Sequence, residues 1–187
     1  MPPRVRISRE DIIKTAVGLI RREGADALNA RAVAKELDCS TQPVFSNFTT
    51  MEELRRAVLE AADALYQEYI DREIASGKYP AYKASGMAYI RFAAEERELF
   101  RLLFMRDRSG EDIPRETFGD TKISGIVEDS TGLSGDRAEL FHLEMWAFVH
   151  GIAAMTATGF LTLDTELVSD MLTDAYRGIM LRYREKG

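Results

Sequence analysis

Six residues in the first quarter of the chain have the side chains best suited to reading another molecule: Arg31, Thr41, Gln42, Pro43, Ser46 and Asn47. Gln and Asn amides can each form two parallel hydrogen bonds with an adenine edge. Thr and Ser hydroxyls can bond to either strand, and a Pro ring can lie against a thymine methyl. Five of the six fall within residues 41–47, where Val44 and Phe48 stand four apart and supply the inner face of a short helix. Arg31 lies near the start of the preceding helix, placed to meet a phosphate. Arg4 and Arg6, on the N-terminal arm, can follow a nucleic-acid backbone or enter the adjacent minor groove. The plainer reading of the same residues is the solvated face of a helical bundle.

The elements that must position these side chains are legible from caps and periodicity. Ser8 with Asp11 opens a helix carrying Ile12, Ile13, Ala16, Val17, Leu19 and Ile20 as one stripe, and Gly24 closes it. Asn29 caps a second, short helix with Val33, Ala34 and Leu37 inward. Asp38-Cys39-Ser40 forms the turn, with Ser40 expected to cap the third helix and Pro43 falling in its first turn. Two short helices about a tight turn, the second with small polar outward side chains, is a helix-turn-helix layout whose second helix enters the major groove. Thr50 to Glu53 is a capping box that opens a long helix ending near Ala75.

Further helices are expected over 80–95, 96–106, 114–129, 135–158 and 165–184, with loops at 106–113, 130–135 and 159–164. No strand-like alternation persists over six residues, so the fold is expected to be all-α with about nine helices. We divide it into a helix-turn-helix domain over 1–50 and a helical effector-binding and dimerisation domain over 51–187. The helix over 135–158 is apolar around most of its circumference, and the last helix carries a wide, drifting stripe. One subunit would struggle to cover both, which points to a homodimer with Phe148, Ile152, Met171, Tyr176 and Ile179 at the interface. The alternative is a well-covered monomer core.

Aromatic and methionine side chains of the body, including Met87, Phe92, Phe104, Phe118 and Trp146, can line an apolar cavity, or they can be ordinary packing. Trp146 and His150 stand at i and i+4 and look into one space. His150 read alone is more often a satisfied structural histidine.

Net charge is −6 over 187 residues, but it is uneven. Residues 1–56 hold ten Lys/Arg against eight Asp/Glu, a balance of +2, and the remainder carries −8. A mildly basic head on an acidic body fits a nucleic-acid reader. The single cysteine, Cys39, excludes an intrachain disulfide, and packing is its expected role. His142 and His150, with Glu139 and Glu144 nearby, follow no recognised metal spacing, so neither a metal nor a cofactor is expected. The N-terminus has no secretory signal. The longest near-apolar run, 146–155, is far shorter than the roughly 20 residues of a membrane span. The chain reads as cytoplasmic, with no membrane partner.

Residues 8–56 resemble the N-terminal domain of the TetR (AcrR-type) transcriptional regulators. The resemblance rests on Ile12-Ile13, Ala16 and Gly24, on Asn29-Ala-Arg31 with Val33-Ala34, and on Ser40, Val44-Phe45, Phe48 and Glu52-Glu53-Leu54, aligned without gaps. Trp146 to His150-Gly151 also resembles the WHG signature of one subgroup's C-terminal domain. The resemblance implies an all-α homodimer that represses or activates genes, with a C-terminal ligand and dimer domain. It also adds Phe45 to the DNA-facing set, at a position where the family usually has a tyrosine whose hydroxyl reaches a phosphate. Met51 replaces a lysine common at the start of the fourth helix, and Gln42 and Pro43 replace small residues. Arg55 and Arg56, one turn along, are placed to compensate.

The leading expectation is a ligand-responsive repressor. It would bind double-stranded DNA at a near-palindromic operator as a dimer. A small apolar or amphipathic effector would release it by shifting the long fourth helix. A protein-binding adaptor without DNA binding is the second reading. An all-α enzyme using Trp146 and His150 is the third, and no nucleophile–base–orienter set supports it.

Overall fold

A computed structural model describes residues 7–107 and 121–185. Arg4, Arg6, Phe118 and the opening of the helix expected over 114–129 lie outside the described residues. Nine α-helices and no strand are present among the described residues. They are α1 (Arg9–Glu23), α2 (Ala30–Glu36), α3 (Gln42–Asn47), α4 (Met51–Ala75), α5 (Ala81–Glu95), α6 (Arg97–Phe104), α7 (Thr121–Thr131), α8 (Asp136–Ala157) and α9 (Thr165–Glu185). A single 3-10 turn, Ala25–Ala27, follows α1. No helix among the described residues is long and apolar enough to cross a membrane.

Local chemistry sets the helix ends. The Ser8 hydroxyl accepts the Asp11 N–H at 3.0 Å while the Asp11 carboxylate accepts the Ser8 N–H at 3.0 Å. The Ser8 hydroxyl also donates to the Asp11 carboxylate at 2.7 Å, and this bond, followed by the one from the Ser8 N–H, holds the Asp11 carboxyl below its ordinary range. Gly24, at φ +85°, donates its N–H to the Ile20 carbonyl at 2.8 Å and ends α1. Asn29 Oδ1 accepts from the backbone of Arg31 and Ala32, satisfying two orphan donors of α2. The start of α3 differs from expectation. Thr41 holds the cap position without a side-chain bond, and Ser40 Oγ reaches only the Gln42 N–H, at 3.4 Å. With Pro43 in the first turn the helix has one fewer N–H to satisfy, which lessens the demand on a cap. The Thr50 hydroxyl caps Glu53 N–H as expected, while the Glu53 carboxylate turns back to the Thr49 N–H at 2.7 Å.

The described chain separates into two compact units, one comprising residues up to Tyr66 with Glu96–Arg106, the other Gln67–Glu95 with residues from Asp107 onward. Helix α4 contributes residues to both. In the first unit α1 packs against α2, α3 and α6, and α2 against α3. Ile12, Ile20, Val33, Val44, Phe48, Leu54, Leu99 and Phe100 are buried there. Each such side chain contributes about 1.5–3 kcal/mol by leaving water. Arg21 grips Glu96 side-on, with Nε at 2.7 Å from one carboxylate oxygen and a terminal nitrogen at 2.6 Å from the other, tying α1 to the head of α6.

In the second unit α5 packs along α8 and also meets α7 and α9, while α8 meets α7 and α9. Tyr82, Ile123, Val127, Phe141, Met145, Met180 and Tyr183 form its central cluster. Phe141 is wholly buried and meets Tyr176 edge-on at 5.5 Å. The buried carboxylate of Glu73 is matched by Arg91 at 2.6 Å.

Candidate nucleic-acid interface

The geometry of α3 follows from two residues. Val44 and Phe48 are buried, so Gln42 and Ser46, each two residues and about half a turn away, face outward. Gln42, Phe45 and Ser46 are exposed, while Thr41, Pro43 and Asn47 are half-buried. The chain enters α3 through Asp38, whose φ of +48° is the left-handed conformation a tight turn requires. Cys39 is half-buried in the same turn and donates its N–H to the Ala34 carbonyl at 2.9 Å.

Two polar side chains of α3 are already committed within the helix. Ser46 Oγ donates to the Gln42 carbonyl at 2.9 Å, which leaves its oxygen lone pairs available as acceptors. Asn47 Nδ2 donates to the Pro43 carbonyl at 2.8 Å. Sequence reasoning places Asn47 among the adenine-reading amides; in the fold one of its two amide N–H groups bonds the backbone of its own helix, and the second N–H and Oδ1 remain.

The cations of this unit sort into two groups. Arg22 pairs with Glu36 at 2.9 Å, Arg55 with Glu52 at 3.6 Å, and Arg9 with Glu53 at 3.9 Å while its guanidinium lies 4.6 Å over the Phe48 ring. Arg31, Lys35 and Arg56 are exposed and form no ion pair among the described residues. These three lie on α2 and at the start of α4, while Lys14 of α1 and Arg97 of α6 are also exposed and without an ion pair among the described residues. Of the pair expected to compensate for Phe45 and Met51, Arg56 is the uncommitted member.

The residues expected to line a cavity are only partly brought together. Trp146 stacks on His150 with ring centres 4.8 Å apart and planes 19° from parallel. The Tyr89 hydroxyl stands 2.8 Å from His150 Nδ1, and burial pushes the imidazole pKa below its ordinary 6.5. Met87 and Phe92, on α5 of the same unit, are buried, and Phe92 meets Tyr69 edge-on at 5.3 Å. Phe104 belongs to the first unit, where it packs against Tyr66 and Phe100.

Tyr89 was not legible as a site residue, nor was Tyr82, whose hydroxyl stands 3.0 Å from His142 Nδ1. Both histidines of the chain thus sit on α8 against a tyrosine of α5. The usable signal was the spacing, seven between the tyrosines and eight between the histidines, each close to two helical turns. Burial raises the Tyr82 phenol pKa, so its proton stays in place at all physiological pH values. Among the described residues no three metal-ligating side chains cluster.

Of the residues expected at a dimer interface, Phe148 is exposed and Met171 half-buried. Tyr176 and Ile179 are half-buried against their own unit's core, and the Tyr176 hydroxyl donates to the Ser130 carbonyl at 2.7 Å. Ile152 is buried in the single chain at 2% exposure, which makes it a core residue rather than a surface one. Apolar surface does remain on the last two helices, at Leu140, Leu143 and Phe148 of α8 and Leu167 and Leu181 of α9.

Comparison with known proteins gives one direction. Residues 82–176 match the family model of the tetracyclin repressor-like C-terminal domain. An uncharacterised HTH-type transcriptional regulator of Mycobacterium tuberculosis is 27% identical, over 97% of this chain and 86% of its own length. Among solved structures, a TetR-like transcriptional regulator from Rhodococcus sp. RHA1 shares the fold with a TM-score of 0.65 at 15% identity, with both chains fully covered. The multidrug binding protein EbrR, complexed with imidazole, shares it with a TM-score of 0.59 at 17% identity, covering 89% of this chain and 88% of its own.

Proposed function

The chain belongs to the TetR family of DNA-binding transcriptional regulators, and from that premise we propose that it is a ligand-responsive repressor acting as a homodimer on a near-palindromic operator. The observation that carries this reading is the outward face of α3, with Gln42, Phe45 and Ser46 exposed on the same unit as Arg31, Lys35 and Arg56, exposed cations that form no ion pair among the described residues. Base-edge groups and phosphate-binding cations then lie on one small unit, the division of labour that sequence-specific binding needs. Pairing through the apolar residues left exposed on α8 and α9 would present two such heads. The half-sites would be spaced by about 34–36 Å or a multiple of it.

The effector would enter the second unit near Tyr89, Trp146 and His150, which offer an aromatic face and a polar edge. EbrR, a relative by fold, is described as a multidrug binding protein, which supports a small organic guest here. Because α4 runs through both units, a guest that favours one arrangement of that helix has a covalent route to the head. It shifts the equilibrium only by its differential affinity for the two arrangements.

The test is a footprint on genomic DNA followed by Gln42→Ala measured on the recovered operator and on random duplex. The reading expects the operator to lose about 10-fold or more, with random duplex nearly unchanged. Equal loss on both refutes base reading by α3. Absence of any duplex binding at low salt, with normal dimerisation, favours the adaptor instead.

A further inference from the structure

We infer that Phe45 is a specificity-determining residue that reads a thymine C5-methyl group, so that each half-site carries a thymine in contact with α3. The inference rests on the DNA-binding reading and goes beyond it by naming a base. Phe45 is 50% exposed, a large apolar ring held outward on a six-residue helix whose inner face is already filled by Val44. The backbone of α3 is regular there, with the Phe45 N–H bonded to the Thr41 carbonyl at 3.2 Å, so the outward direction belongs to the helix itself.

Two chemical facts choose the target. A phenyl ring has no donor, so it cannot hold a phosphate oxygen, and pressing it against the backbone would strip water from an anion without return. In the major groove the thymine C5-methyl is the one apolar group on a base edge, and apolar side chains are its natural partner.

The neighbours agree with this assignment. Gln42 lies three residues earlier on the same helix face, exposed, with an amide suited to adenine N6 and N7. Residues so spaced stand about 5–6 Å apart, within reach of adjacent base pairs. Gln42 and Phe45 together therefore specify an A·T-containing step.

The test uses the full chain and a duplex selected from a random pool. Each thymine of the selected duplex is replaced singly by deoxyuridine, which removes only the methyl. Wild-type protein is expected to lose about 4-fold at one thymine position in one half-site, and about 15-fold when both half-sites are changed. Phe45→Ala should be insensitive to that same replacement. The inference is overturned if no thymine position is sensitive with wild-type protein, or if Phe45→Ala remains equally sensitive. A protein that selects no sequence at all overturns the DNA-reading proposal itself, a distinct result from a selected duplex indifferent to its methyls. The wild-type arm needs no variant, so a folding defect in Phe45→Ala does not blunt the test.

Discussion

The Tyr89 hydroxyl lies 2.8 Å from Nδ1 of His150, a bond between α5 and α8 across 61 residues of sequence. Burial depresses the imidazole pKa, which favours the neutral ring, and with its proton on Nε2 that ring accepts a hydrogen bond from the phenolic O–H at Nδ1. In the unfolded chain the same histidine titrates near 6.5. Below that pH the unfolded state binds the proton first, so stability must decline as pH falls from 6.5 toward the folded-state value, then level off. His150→Gln should flatten that part of a denaturation-midpoint profile relative to wild type. An unchanged slope would show that His150 is not desolvated. Tyr89→Phe should cost about 1 kcal/mol in urea unfolding.

Arg21 and Glu96 form a two-point ion pair between α1 and α6, with the carboxylate mostly shielded from water and the guanidinium partly exposed. Arg21→Ala leaves that carboxylate without its partner, at an expected cost of about 1–2 kcal/mol. Arg21→Lys should recover less than half of this, because an ammonium cannot make the paired contact. Thermal unfolding of the two variants decides the matter, and full rescue by lysine would contradict a geometric role.

Asn47→Ala removes the side-chain bond to the Pro43 carbonyl and should lower stability by about 0.5–1 kcal/mol. Its affinity for operator and for random duplex should fall by the same modest factor. A loss confined to the operator would show that Asn47 reads a base edge as well.

Arg56 is the exposed cation at the start of α4 that no carboxylate engages among the described residues. If it holds a phosphate, Arg56→Ala should reduce the salt slope of a dimer by about 2, one phosphate per head. Arg55→Ala, which removes a residue already paired with Glu52, should change it less. The wild-type slope itself is expected to be no steeper than about −8, given how few cations are uncommitted.

Gly86 marks the close approach of α5 to α9. A Cβ added there would stand 2.9 Å from Leu172 Cδ2, and Leu172 is buried with little room to yield. Gly86→Ala gains helix propensity of about 0.5–1 kcal/mol but overpacks the contact by about 1–3 kcal/mol. Net destabilisation of roughly 1 kcal/mol is expected, and a higher melting temperature would show the helices free to separate.

What the sequence determined on its own was local. Ser8 with Asp11, Asn29, and Thr50 with Glu53 announce helix starts because a cap and its partner lie within three residues, inside one turn of chain. Val44 and Phe48 settle which side of α3 is inward for the same reason, so the outward face of the reading head was legible too. Even here a detail escaped: Ser40 and Thr41 are both good caps, and only backbone geometry chose between them.

Tertiary structure decided everything that depends on the register of one helix against another. The matches of Arg21 with Glu96, Tyr89 with His150 and Gly86 with Leu172 join residues 61 to 86 apart. Periodicity states which face of a helix is apolar, but not how far that helix slides or turns against its neighbour. A slip of one residue rotates every side chain by about 100°. For that reason Ile152 was visible as apolar but not as interior to its own chain.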